Sequence, residues 1–132
     1  MIGSPSLALQ KAIVDALSRG VPEVGGRVFD VVPPSAAFPY VTIGEGQDLA
    51  DTADCYDGTE SFLDIHVWSR AVGFPEAKRI AGKVRHALHD ADLPLDEHVL
   101  LLLHFRDQRP LRDPDGVTSH VAMTFRALTQ PA

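Results

Sequence analysis

The hydrophobic positions change period several times along the chain, and each change marks an element. Leu9, Ile13 and Leu17 recur every four residues, with Ala12 and Ala16 beside them, which predicts one helix from Ser4 to Gly20. Ser4 suits its N-cap, Pro5 its first turn and Gly20 a left-handed stop. After a turn over 21–26, Arg27–Val32 reads as a short strand, ended by Pro33 and Pro34 because proline cannot donate to a sheet ladder. Phe38–Glu45 reads as a second strand, with Val41 and Ile43 on one face and Phe38, Tyr40 and Thr42 on the other; Pro39 marks an edge or a strand entry. Residues 46–59 follow neither period and read as a long loop. Glu60–Arg70 alternates, with Leu63, Ile65 and Val67 against Phe62, Asp64, His66 and Trp68. Ala77, Ile80, Ala81, Val84, Ala87 and Leu88 then form the stripe of a second helix over about 75–90.

The last third reads as a hairpin. His98–Gln108 is apolar on both faces over Val99–Leu103, which suggests a central strand. Val117–Leu128 alternates, with Val117, Val121, Met123 and Phe125 opposite Thr118, His120, Thr124 and Arg126. Residues 109–116 connect the two, with Asp115–Gly116 as the turn pair. The order α-β-β-β-α-β-β predicts an α+β fold: an antiparallel or mixed sheet of about five strands, with two helices packed on one face. The chain 1–132 reads as one domain, without repeats.

Composition narrows the classes. A chain of 132 residues buries enough surface to fold without disulfides or metal. Cys55 is the only cysteine, so no internal disulfide is available, which suits a reducing compartment. Met1–Gln10 lacks the pattern of a signal peptide, and the longest apolar run, Val99–Leu103, falls far short of the ~20 residues that span a bilayer. A net charge of −6 argues against stable DNA binding, while leaving transient passage of DNA open.

Catalytic motifs are absent. No G-x-S-x-G occurs, and Ser119 and His120 are strand neighbours whose side chains point to opposite faces. Cys55 has no protease signature around it. His86 and His89 lie three apart on a helix with His98 nearby, but without H-E-x-x-H or paired cysteines they read as surface histidines. Gly25–Gly26 stands alone and reads as a turn. No catalytic, cofactor or metal residue is assigned. One pattern does stand out: Glu45, Asp48, Asp51, Asp54, Asp57 and Glu60 recur every third residue with no base among them, and these six acids equal the whole net charge. A solvated loop is the plain reading. The functional one is an acidic ridge that orders on a partner or faces a channel.

Several segments, taken in order, resemble the tail-completion or tail-terminator proteins of long-tailed bacteriophages and gene transfer agents. They are Leu9–Gln10 and Ile13; Arg27–Asp30; Phe38–Val41 leading to Ile43–Glu45; Ile65, Val67, Trp68 and Ser69; Glu76–Ala77 with Ile80–Ala81; and Arg112–Gly116 with Thr118, His120 and Phe125–Ala127. The resemblance spans about residues 7–128. It implies a ring of six subunits that caps the tail tube and joins it to the neck, with DNA passing through its lumen. The implied partners are further copies, the tail tube protein and a neck or stopper protein. Neither enzyme activity, a cofactor nor a membrane is implied, and the expected location is the host cytoplasm and then the particle. On this reading the six acids line the lumen or grip a neighbour, and Arg109, Arg112, Asp113 and Asp115 form a contact at the hairpin turn. Two rivals stand beside it. One is another neck component, a stopper or adaptor. The other is a small ligand-binding or enzymatic domain using His66, Asp64 and Trp68, which otherwise pack under the second helix or at a subunit contact.

Overall fold

The computed structural model describes residues 3–53 and 56–132. The elements run α1 (Pro5–Gly20), β1 (Val28–Phe29), β2 (Tyr40–Ala53), β3 (Tyr56–Ser69), α2 (Pro75–Leu88), β4 (His98–Arg112) and β5 (Ser119–Pro131). The five strands form one sheet in the order β1-β2-β3-β5-β4. β1 runs parallel to β2 and every other neighbouring pair is antiparallel, so the sheet is mixed. The α+β fold expected from the periodicity is what forms.

Ser4 caps α1 as its sequence suggests, its hydroxyl accepting from the Leu7 N–H at 3.1 Å. Gly20 ends the helix without entering the left-handed region. Its role is closeness instead: a Cβ there would lie 3.3 Å from the Ala87 Cβ on α2, so the two helices meet at this point. α1 and α2 bury Leu9, Ile13, Leu17, Ile80, Val84 and Leu88 against the odd-numbered residues of β3 and β5 in one core. Both helices therefore cover one face and leave the other open. Phe125 lies at the centre of that core, fully buried and edge-on to Phe105 at 5.7 Å.

Several sequence expectations are corrected. Residues 46–53 and 56–59 are not a loop: β2 and β3 continue through them, from Gly46 opposite Leu63 to Ala53 opposite Tyr56, with β5 alongside β3 as far as Thr59. A bulge at Gly44–Glu45 shifts the phase of the pattern, which is why no period of two was visible across it. β4 is not central but ends the sheet, and its apolar run leaves Val99 and Leu101 exposed. β4 also runs on to Arg112, so the connection to β5 is confined to 113–118. Val117 is exposed in that turn and does not join the core face of β5. β1 is two residues long where six were expected.

Candidate assembly surface

The six acids do not make a single ridge. Strand alternation divides them, because a spacing of three crosses faces at every step of a two-residue repeat. Asp48, opposite Ser61, and Asp57, opposite Thr52, lie on the face that carries the helices. Asp51, opposite Gly58, and Glu60, opposite Leu49, lie on the open face. Glu45 sits in the bulge, and Asp54 lies outside the described residues. Two of the acids are held in place. Asp48 accepts from the Ser61 hydroxyl at 2.6 Å, and Glu60 pairs with Arg126 across the sheet at 2.6 Å.

The four residues expected at the hairpin turn also separate. Arg109 and Arg112 are strand residues, opposite Ala122 and Ser119. Asp113 and Asp115 build the turn itself. Asp113 contacts His120 Nδ1 at 3.1 Å, while Asp115 accepts from the N–H groups of Val117 and Thr118 and from the Thr118 hydroxyl. That hydroxyl and the two amides hold the Asp115 carboxyl below the usual range.

The open face carries a ladder of rings. Tyr40, Trp68 and His120 follow one another across β2, β3 and β5, with Trp68 stacked on His120 at 4.1 Å and His66 5.9 Å from Trp68. Trp68 donates its indole N–H to Thr42 Oγ1 at 3.0 Å, and Asp64 accepts from the Thr124 hydroxyl at 3.0 Å. Asp64, His66 and Trp68 thus lie opposite the helices, and the expectation that they pack under α2 fails. The polar groups of Asp64 and Trp68 are spent on neighbouring strands. Among the described residues no three potential ligands converge to hold a metal, and no helix is long and apolar enough to cross a membrane.

Burial, and then the adjacent His120, lower the pKa of His66 from its ordinary 6.5; Asp64 and Glu45 act against this shift. His66 Nδ1 is buried and without a hydrogen-bond partner. The unfolded chain therefore takes up a proton at this site at a higher pH than the folded one. Stability is unaffected well above pH 6.5 and falls as pH drops through that value toward the lower folded pKa. Urea midpoints measured from about pH 7 to about pH 5 should fall less steeply in His66→Gln than in the parent chain. Equal slopes in the two proteins would show that His66 contributes nothing to the acid response.

The two outer edges of the sheet are each half closed. β1 covers β2 only at Val41 and Thr42, so that among the described residues no strand lies on the outer side of Gly44–Ala53. On β4 the end of α2 folds over the first half. The Asp90 N–H donates to Leu103 O at 2.8 Å, and the Phe105 N–H donates to His89 Nδ1 at 3.0 Å. Asp90 in turn bridges His89 and His104. The second half of β4, Arg106–Arg112, is exposed throughout, and among the described residues no strand lies on its outer side; the Arg112 guanidinium stacks on the Phe74 ring at 4.5 Å.

Residues 11–130 match the family described as tail completion protein gp17. The chain belongs to this family. A chain of the virion of a native gene transfer agent particle superposes on it with a TM-score of 0.88, at 28% identity, over 98% of this chain and 99% of that one. The gp17 protein of bacteriophage SPP1 superposes with a TM-score of 0.59, also at 28% identity, over 92% and 88% of the two chains. No curated protein sequence matches it.

Only some of the residues at the borders of the sheet were legible in the sequence of this tail completion protein. The acids on β2 stood out by spacing, and Arg109 and Arg112 only as part of the expected hairpin turn. The plug made by His89 and Asp90 did not, because it joins residues 16 apart and depends on where α2 ends. The alternation placed Tyr40, His66, Trp68 and His120 on the faces opposite the apolar ones, but only the strand order brings the four rings together.

Proposed function

We propose that this chain forms a closed ring at the end of the tail tube, stopping tube growth and joining the tail to the neck, with DNA passing transiently through the centre. The observation that carries this reading is the full-length likeness to a chain that sits inside an assembled gene transfer agent virion. Its partners are further copies of itself, the tail tube protein and a neck or stopper protein. It acts without catalysis, cofactor or membrane, first in the host cytoplasm and then in the particle. A ring of identical subunits needs a heterologous contact, in which two different surfaces of one molecule meet. The acids of β2 and the arginines of β4 supply two such surfaces of opposite charge, while Asp113 and Asp115 keep the turn beside the second one rigid.

Producer cells lacking the chain are expected to yield tubes of uncontrolled length with no capsids attached, visible by negative-stain microscopy. Tails of normal length joined to capsids would end the proposal. Tails of normal length that remain detached would move the protein to the stopper or adaptor level. Changing Asp48, Asp51, Asp54 and Asp57 together to asparagine is expected to abolish ring formation. Rings that still form but fail in DNA delivery would assign these acids to the lumen.

A further inference from the structure

The two free half-edges are complementary in charge, phase and side-chain size. Gly44–Ala53 of β2 carries Glu45, Asp48 and Asp51 and no base. Arg106–Arg112 of β4 carries three arginines against the single acid Asp107. We propose that the second half of β4 in one copy pairs antiparallel with the second half of β2 in the next, so that the sheet continues from subunit to subunit. This deepens the ring reading and rests on it.

The geometry selects one register. The Val41 N–H donates outward to Arg27 O, so Val41 and Ile43 turn their amides away from β3. The bulge inverts this phase and leaves Asp48, Ala50 and Thr52 as the outward residues of β2. On β4, Leu103 and Phe105 are outward, as their bonds to Asp90 and His89 require. The bulge after Phe105 inverts the phase there too, so Gln108, Pro110 and Arg112 become outward. Pro110, which lacks an N–H, therefore faces the free edge, where a strand tolerates it.

Set Arg112 opposite Asp48, Pro110 opposite Ala50 and Gln108 opposite Thr52. All outward groups then meet, and each pair lies on the helix side of the sheet. The intervening positions fall on the open face and also match: Arg109 meets Asp51, and Leu111 meets Leu49, two leucines left 38% and 39% exposed in the single chain. Sliding by two residues one way sets Asp107 against Asp51; sliding the other way removes both ion pairs. An exposed row of backbone donors and acceptors is a template for such strand addition, and flanking side chains fix its register.

Leu49 and Leu111 would form a non-hydrogen-bonded pair across the junction, with Cα atoms about 4.5 Å apart, inside the ~4.4–6.8 Å range of disulfides. The test is made on the full chain with Cys55→Ser throughout. Leu49→Cys with Leu111→Cys, oxidised after assembly on tail tubes, should give a ladder of covalent oligomers that reductant collapses. Either change alone, or Leu49→Cys with Leu101→Cys, should give none. Asp51→Arg or Arg109→Asp alone should cut ring yield about tenfold, and the two together should restore it. Rings that form without either the ladder or the charge-swap rescue would overturn the edge pairing and leave the ring reading standing. Particles that contain the chain but show no ring would overturn both.

Discussion

Replacing Phe125 by alanine is expected to lower the unfolding free energy by about 3–5 kcal/mol, the range for removing a fully buried aromatic ring. Phe125 has no exposed surface, packs edge-on to Phe105 and faces Leu63 across β3. Its side chain lies in the core between the sheet and the layer formed by both helices. A chain of this size has roughly 5–15 kcal/mol in total, so the variant should be marginal or unfolded at 37 °C. Urea titration followed by circular dichroism would read this directly, with a lower midpoint at an unchanged slope. A loss under about 1 kcal/mol would mean that this core repacks freely, contrary to the close packing of its layers.

Gly46→Val should come next in effect, for a different reason. The φ angle of Gly46 is ordinary, so left-handed freedom is not what the position needs. What it needs is room: a Cβ there would lie 2.3 Å from Phe62 O and 3.1 Å from Leu63 Cα, both backbone atoms of the neighbouring strand. Neither can rotate aside, so β2 and β3 must part at the bulge, at a cost of about 3 kcal/mol. Gly44, two residues earlier in the same bulge, has open space where a Cβ would go. Gly44→Ala should therefore stay within about 0.5 kcal/mol of the parent. The pair of variants separates a spatial requirement from a general preference for glycine in bulges. If both prove equally harmful, the spatial account is wrong. Gly46→Val should also impair assembly beyond its loss of stability, because the displaced segment carries Asp48 and Asp51.

Burial patterns made most of the fold legible. The stripes of α1 and α2 and the alternation in β3 and β5 follow from which residues must leave water, and those elements form where the periods place them. The strand pairing of 46–53 with 56–63 was not legible because a bulge breaks its phase and because neither face of β2 is apolar beyond Gly46. Polar residues such as Asp48, Thr52 and Asp57 give no sign of strand when both sides meet solvent. β4 misled in the opposite sense. Val99 and Leu101 look like core residues, yet they lie on an edge strand and remain open in the single chain. The sites divide in the same way. Spacing singled out the acids, but only pairing assigned them to faces. Arg109 and Arg112 were grouped with Asp113 and Asp115 by nearness in sequence, whereas the structure gives the first two to a strand and the last two to the turn that ends it.

The plug that His89 and Asp90 place over Leu103 and Phe105 has a consequence for the molecule while it waits to be used. A bare strand invites a twin to lie beside it, and two-fold pairing of β4 with its own copy would be the simplest outcome. With its first half occupied, only the stretch from Arg106 to Arg112 remains for such an encounter, and it carries three arginines against the single acid Asp107. On the proposed edge pairing, that surplus of like charge would disfavour a two-fold contact and leave copies to join head to tail, each by its unlike flank.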